Sequence, residues 1–245
     1  MAAQDDVGVV RGVASSPDGR LFATCGDAHV AVWHFDTGMH VRTLQHRSGP
    51  GGFICVAWRR DGSLLASGST DGSVTVCDVV TAAVKVALQG HRNGAALVAW
   101  SPDGLKLCTG SFDTSCRMWD GNTGSLLLEL KGWGKETVGC STGTEGEPLF
   151  DLMLSWSPDG AFVPTARLSY EVNVWDATTG AEMRSMRPAR FNEPCPFPVM
   201  CVAWSPDGTM LASGYQNSTV RVWYAATGTI KCTLELICGR PSTVA

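Results

Sequence analysis

The tetrapeptide Ser-Pro-Asp-Gly occurs four times, at 16–19, 101–104, 157–160 and 205–208, and Arg59-Arg60-Asp61-Gly62 is a weaker fifth copy. Fifteen residues after the glycine stands Trp119, Trp175 or Trp223, with Cys77 there in the second copy and Trp33 fourteen residues after the first. Five residues beyond each of those four tryptophans comes Thr-Gly, at Gly38, Gly124, Gly180 and Gly228. A repeat with a period of about 42 residues constrains the fold more than any single residue does, because each copy is one structural unit that must stack on the next.

In Pro-Asp-Gly, proline fixes φ at the second position of a turn, aspartate accepts local hydrogen bonds and glycine takes a positive φ. Each copy is therefore a hairpin turn. Before it runs a short apolar stretch ending in tryptophan, as in Cys55-Val56-Ala57-Trp58, Leu97-Val98-Ala99-Trp100 and Cys201-Val202-Ala203-Trp204. Such runs, bounded by turn residues and without helical spacing, predict buried strands. After the turn the third copy continues through 105–110, reverses at Phe112-Asp113, resumes at 115–119 and adds a fourth run at 126–130. The unit is a four-stranded antiparallel meander, apolar on both faces. It cannot cover both faces alone, and radial stacking of such sheets is a β-propeller.

Over residues 9–237 the pattern resembles the WD-repeat family, whose unit is about 40–45 residues. The resemblance implies an all-β propeller of five four-stranded antiparallel blades in a single domain, 1–245, with blades at about 7–45, 46–90, 91–131, 150–187 and 199–237 and inserted loops at 132–149 and 188–198. It also implies a buried hydrogen-bonded set in each blade: a His before the first strand, a Ser or Thr in the second, an Asp in the next turn and the Trp. Blade three has all four, as His91, Thr109, Asp113 and Trp119. Blade two offers His46, Ser67 and Asp71 but has Cys77 for the Trp, and blade one keeps Thr24, Asp27 and Trp33 without an upstream His. Blade four keeps Trp175 but has Trp133 at the His place, Ser169 at the Asp place and Pro164 inside a strand, where it cannot donate to a ladder. Blade five keeps Ser213 and Trp223, with Asn217 for the Asp. Rings of this family usually have seven blades and close by sharing a strand between the two termini. Here a first strand near Val7 and a last near Ile237 make all five blades complete in themselves. The expectation is either closure by packing of blade one on blade five, or an incomplete, open ring whose end blades self-associate or seek a partner.

Composition narrows the function. A net charge of −4 gives no electrostatic footprint for direct nucleic-acid binding, and no apolar stretch reaches the ~18 residues of a spanning helix. The start, Met1-Ala2-Ala3-Gln4-Asp5-Asp6, lacks the basic region of a signal peptide, so the expectation is a soluble cytoplasmic or nuclear protein without membrane insertion. Ten cysteines show no two-residue spacing of a zinc or redox pair, and most fall in strands, where a thiol is a small apolar filler. The five histidines, all at or before His91, have no cluster of acids or cysteines around them, so no metal and no cofactor is expected. Gly139-Cys140-Ser141-Thr142-Gly143 matches a nucleophile-elbow string, but no helix pattern and no histidine follow it. Gly132-Trp133-Gly134-Lys135 has the wrong glycine spacing for a phosphate loop, and Asn217-Ser218-Thr219 reads as a polar turn rather than a glycosylation site. A non-catalytic protein is expected.

In a four-stranded meander the first-to-second and third-to-fourth turns share one end of the blade, which we call the turn end. The second-to-third turns and the blade-to-blade connections share the other, the loop end. Pro-Asp-Gly and Thr-Gly turns are uniform, whereas the connections at 45–52, 132–150 and 187–198 are expanded and irregular. Variable loops on a rigid scaffold are where binding residues concentrate. Eight of nine tryptophans occupy repeat positions and Trp133 alone does not. With Phe112, Leu168, Arg187, Arg190 and Phe191 it makes an aromatic and arginine set, rimmed by Glu136, Glu145 and Glu147, of the composition of a protein-binding hot spot. The expected role is an interaction scaffold or adaptor for a protein or peptide partner. Two alternatives stand beside it: a ubiquitin-ligase substrate receptor, though Asn122 and Thr178 stand where such receptors carry a basic residue, and a propeller enzyme.

Overall fold

The computed structural model describes residues 9–46, 51–130, 152–167, 171–187 and 199–235. These form twenty strands in five four-stranded antiparallel sheets, each ordered as a meander. Blade one comprises β1 Val10–Ser15, β2 Leu21–Gly26, β3 His29–His34 and β4 His40–His46; blade two, β5 Phe53–Trp58, β6 Leu64–Ser69, β7 Val74–Asp78 and β8 Val84–Leu88. Blade three comprises β9 Ala95–Trp100, β10 Lys106–Ser111, β11 Cys116–Asp120 and β12 Leu126–Leu130. Blade four has β13 Leu152–Leu154, β14 Phe162–Arg167, β15 Val172–Asp176 and β16 Glu182–Met186, and blade five has β17 Val199–Trp204, β18 Met210–Tyr215, β19 Thr219–Tyr224 and β20 Ile230–Glu235. The chain groups into two compact units, Met1–Gly134 with blades one to three and Lys135–Ala245 with blades four and five. Among the described residues no helix is long and apolar enough to cross a membrane.

The turns form as the tetrapeptide dictates. Gly19, Gly62, Gly104, Gly160 and Gly208 all adopt φ between 70° and 73°, which only glycine takes without strain. In four copies the serine hydroxyl donates to the aspartate, as from Ser16 to Asp18 at 2.6 Å, and accepts from the first amide of the next strand, as from Leu21 at 2.9 Å. The fifth copy has Arg59 in place of serine and closes differently: the guanidinium clamps Asp61 through Nε and a terminal nitrogen at 3.0 and 2.7 Å. That pairing holds the Asp61 carboxyl far below the usual carboxylate range.

Blades stack through their apolar faces. Ala23, Val30, Val32 and Leu44 of blade one bury against Phe53, Leu65, Cys77 and Val79 of blade two. The next seam repeats this with Ala66, Val74, Val76 and Leu88 against Ala95, Leu107 and Trp119, and in the second unit Val172, Val174 and Met186 pack on Val199, Leu211 and Trp223. Tryptophans that end the first strands stitch neighbours together: Trp58 Nε1 donates to the Ala14 carbonyl at 3.0 Å and Trp100 Nε1 to Ala57 at 3.2 Å. Cys25, Cys77, Cys108 and Cys116 are buried fillers, whereas Cys201 and Cys232 of blade five are exposed.

Pro164 does not prevent its strand from forming. It lies inside β14 opposite Val174, but the ladder to β13 runs only from Leu152↔Arg167 to Leu154↔Thr165 and stops beside the residue that has no N–H.

Candidate protein-interaction surface

The loop end of each blade is organised from within. In blade three the Trp119 indole donates to Thr109 Oγ1 at 2.8 Å, Thr109 lies 2.7 Å from His91 Nε2, and His91 Nδ1 lies 3.2 Å from Asp113 Oδ2. One proton arrangement satisfies the whole chain: a neutral His91 with its proton on Nδ1, donating to the carboxylate while Nε2 accepts from the threonine hydroxyl. Burial lowers the His91 pKa, against the pull of Asp113. Burial works against the Asp113 carboxylate too, yet donation from Ser115 and the Arg92 amide, with His91 nearby, brings its pKa down to about 2. The four-residue set expected in blade three is thus formed.

The other blades fill the same role with residues the sequence pattern flags together with some that it does not. In blade two Gln45 enters the set, as its amide donates to Cys77 Sγ at 3.0 Å and accepts from Ser67 Oγ at 3.2 Å. A long amide bridges the gap left by the small Cys77, while the side chain of His46, the residue expected there, lies outside the described ones. In blade one Trp33 donates to Thr24 at 2.8 Å, and Asp27 is held by Arg11 at 2.6 Å and by the Val9 amide. Blade four keeps the Trp175 to Thr165 bond at 2.7 Å. In blade five Trp223 donates to Ser213 at 2.8 Å, Ser213 lies 3.3 Å from the Tyr215 hydroxyl, and the Arg221 guanidinium sits 4.6 Å over the tyrosine ring. Asn217 accepts from Thr219 at 2.7 Å and so shapes a turn.

These sets pin the loops. In blade three the Phe112 amide donates to Gly94, Ser111 donates to Asn93 and Arg92 donates to Asp113. In blade two Ser69 and the Thr70 amide both reach the Gly52 carbonyl. A Cβ on Gly94 would approach Phe112 and Ile54 to 3.1 Å each, so these side chains close over the bare backbone of the glycine. Phe112 is left half-buried, an apolar ring at the rim of a rigid platform.

Of the residues expected to bind a partner, Phe112 and Arg187 are described. Arg187 is partly engaged, its Nε lying 2.9 Å from Glu171 and 3.2 Å from Ser185. Trp133, Leu168, Arg190 and Phe191 lie outside the described residues, as do Glu136, Glu145, Glu147, Ser169 and the two strings at 132–135 and 139–143. The turn end, expected to be plain scaffold, carries two clefts that the repeat pattern does not reveal. One of about 340 Å³ lies between the first-to-second-strand turns of blades one and two, and one of about 380 Å³ between those of blades two and three. Arg60, exposed, borders both. Among the described residues no group of three or more His, Cys, Asp or Glu side chains is placed to hold a metal ion.

Stacked four-stranded meanders, each with a Ser/Thr–Trp bond at its loop end or a Gln45 bridge in its place, define a protein of WD-type propeller blades. The model of the family described as "WD domain, G-beta repeat" matches residues 4–34, 38–78, 83–120 and 190–224, more than half of the sequence, and the chain belongs to that family. It is 38% identical over 63 residues to "Retinoblastoma-binding-like protein E" of Dictyostelium discoideum, an alignment covering 24% of this chain and 11% of that protein. Its fold is similar to that of a chain in a solved structure titled "Crystal Structure of Mitotic Checkpoint Complex", with a TM-score of 0.74 and 22% identity over 94% of this chain and 63% of the other. The chain therefore spans less than two thirds of the length of either relative.

Proposed function

We propose that the protein is a non-catalytic interaction scaffold that presents its loop ends to a protein or peptide partner within a multiprotein complex. The observation that carries this reading is the loop end of blade three, where a half-exposed Phe112 is mounted on backbone and side chains already locked by hydrogen bonds. A preorganised aromatic contact loses little entropy on binding, which is how a few anchors come to dominate an interface. The His91, Asp113 and Asp61 groups that chemistry could have used are spent on structure. The matched relative has binding in its own name, in keeping with the same reading.

The test is a partner capture with the full chain as bait, followed by affinity measurements on whatever is enriched. Truncating a central anchor typically costs about 2 kcal/mol, roughly thirtyfold in affinity. Phe112→Ala, and Trp133→Ala and Arg190→Ala on the sequence argument, should each weaken the partner to that degree. Arg20→Ala, beside the turn of blade one, should not. Weakening by Arg20→Ala or Arg60→Ala with the other three unchanged would assign binding to the turn-end clefts instead.

A further inference from the structure

Asn93-Gly94 is the one Asn-Gly step in the sequence, and it lies in the connection that leads into β9 of blade three. Asn93 is exposed and its carboxamide folds back on the main chain, Oδ1 accepting from the Gly94 amide at 2.8 Å. That amide makes no other hydrogen bond among the described residues. The contact sets the Gly94 nitrogen beside Cγ of the carboxamide, the atom it must reach to close a succinimide ring. A Cβ at 94 would come to 3.1 Å from both Ile54 and Phe112, so the fold requires the residue whose bare Cα leaves this nitrogen unshielded.

The comparable steps are closed. Seven Asp-Gly steps occur, and in each the glycine amide donates to a backbone carbonyl at 2.7–3.0 Å, as from Gly19 to Ser16 and from Gly121 to Leu105. Asn122 and Asn217 precede residues with side chains, and there too the next amide is held, Thr123 by Asp120 at 2.7 Å and Ser218 by the Tyr215 carbonyl at 3.1 Å. An amide fixed on another acceptor neither loses its proton readily nor turns to attack.

We infer that Asn93-Gly94 is a site of spontaneous deamidation, and that its conversion loosens the mount of Phe112. Base removes the Gly94 amide proton and the nitrogen attacks Asn93 Cγ. The N–Cγ bond forms, the Cγ–Nδ2 bond breaks, and the carboxamide nitrogen takes up a proton and leaves as ammonia. One water then opens the succinimide at either carbonyl, so asparagine and water give ammonia and either aspartate or isoaspartate. Both products place a new carboxylate close to Asp113, which holds the neighbouring Arg92 amide. The isoaspartyl chain also runs through Cβ and Cγ, which lengthens the backbone and turns the former Asn93 carbonyl into a side group. That carbonyl accepts from Ser111 Oγ at 2.9 Å, and the Gly94 carbonyl accepts from the Phe112 amide at 3.0 Å. The lengthening falls between the two bonds that fix the turn carrying Phe112. This chemistry needs no partner, so it and the proposed function can fail separately.

Ageing the full chain in mildly alkaline buffer and mapping its peptides by mass tests the inference. The peptide containing Asn93 should gain the mass of an oxygen in exchange for NH and split into aspartyl and isoaspartyl forms, the second accepting a methyl group from protein isoaspartyl methyltransferase. The rate in the native chain should lie within about tenfold of that in a free peptide of the same sequence, a barrier difference of about 1.4 kcal/mol at most. Asn122 and Asn217 should lag behind, and Asn93→Gln, a change at an exposed side chain, should abolish the conversion. In the isolated isoaspartyl chain, hydrogen exchange at the Phe112 amide should quicken, while that at the Phe35 amide of blade one, bonded to Arg20, stays as it was. A native rate below the tenfold window overturns the site. Unchanged exchange at Phe112 in the isoaspartyl chain overturns its consequence.

Discussion

Burial disfavours a charged imidazole at His91, so the relay runs through a neutral ring whose Nε2 accepts from Thr109, a hydroxyl that itself accepts from Trp119. His91 has a folded pKa below its ordinary 6.5, so its contribution to stability is complete above 6.5 and is lost as pH falls through the folded value. Asp113 acts in the same direction, contributing above 3.8 and losing that contribution as pH falls towards about 2. The melting temperature should therefore fall on acidification below 6.5, and His91→Gln should lower neutral-pH stability while flattening the first part of that decline. An unchanged acid profile in that variant would remove His91 from the account. Asp113→Ala leaves buried donors unsatisfied and should cost roughly 1–3 kcal/mol, against almost nothing for the exposed Asp36→Ala. Ala82 stands where the four other blades have a Thr-Gly glycine and is forced to φ 59°. Ala82→Gly should raise stability by up to about 1 kcal/mol, read as a higher melting temperature. The sequence made the blade-three set legible because all four residues there are the expected types. Gln45, Tyr215 and Arg221 stayed hidden because the role is set by where a polar tip can reach, which spacing alone does not fix.

Strands and hairpins were the most readable elements, since the turn after every first strand carries a glycine whose backbone demands are local. The consequences of Pro164 were only half readable. That it could not donate to a ladder was plain, but its effect on the neighbouring blade required the structure. With the β13 ladder ending at Leu154, Ser155 falls just outside the strand. Ser155 is the counterpart of Ala14 and Ala57, whose carbonyls accept the tryptophan stitches of the following blades. Trp204, which follows blade four in that series, has a buried indole N–H with no acceptor among the described residues. The missing N–H in β14 and the missing bond in blade five thus meet at the same carbonyl position. Pro164→Ala should let the ladder extend, slow amide exchange around Ser155 and bring Trp204 Nε1–H into a bond worth about 1 kcal/mol. If exchange at 155 is unchanged and stability falls, the proline is serving its packing rather than limiting the ladder.

At the scale of the chain, the count of blades, their order and their meander topology were all present in the period of the repeat. The fate of each blade's two faces was not, because a repeat pattern assigns every copy the same apolar positions whether or not a neighbour covers them. Coverage decides local stability when each unit contacts only its neighbours. Blade two is sandwiched, with its rear face in one buried cluster and its forward face in the next. Blade one lacks cover at Val10 and Val13, and blade five at Cys232 and Leu234. In the dilute chain, amide exchange should therefore be slowest in β6 and β7 of blade two and fastest in the outer blades, in β1 and β20. The ordering should hold even between outer strands, since β8, like β20, pairs with one neighbour but has Val86 and Leu88 buried against blade three. Equal protection of β20 and β8 in the dilute chain would remove neighbour coverage as the cause of the ordering.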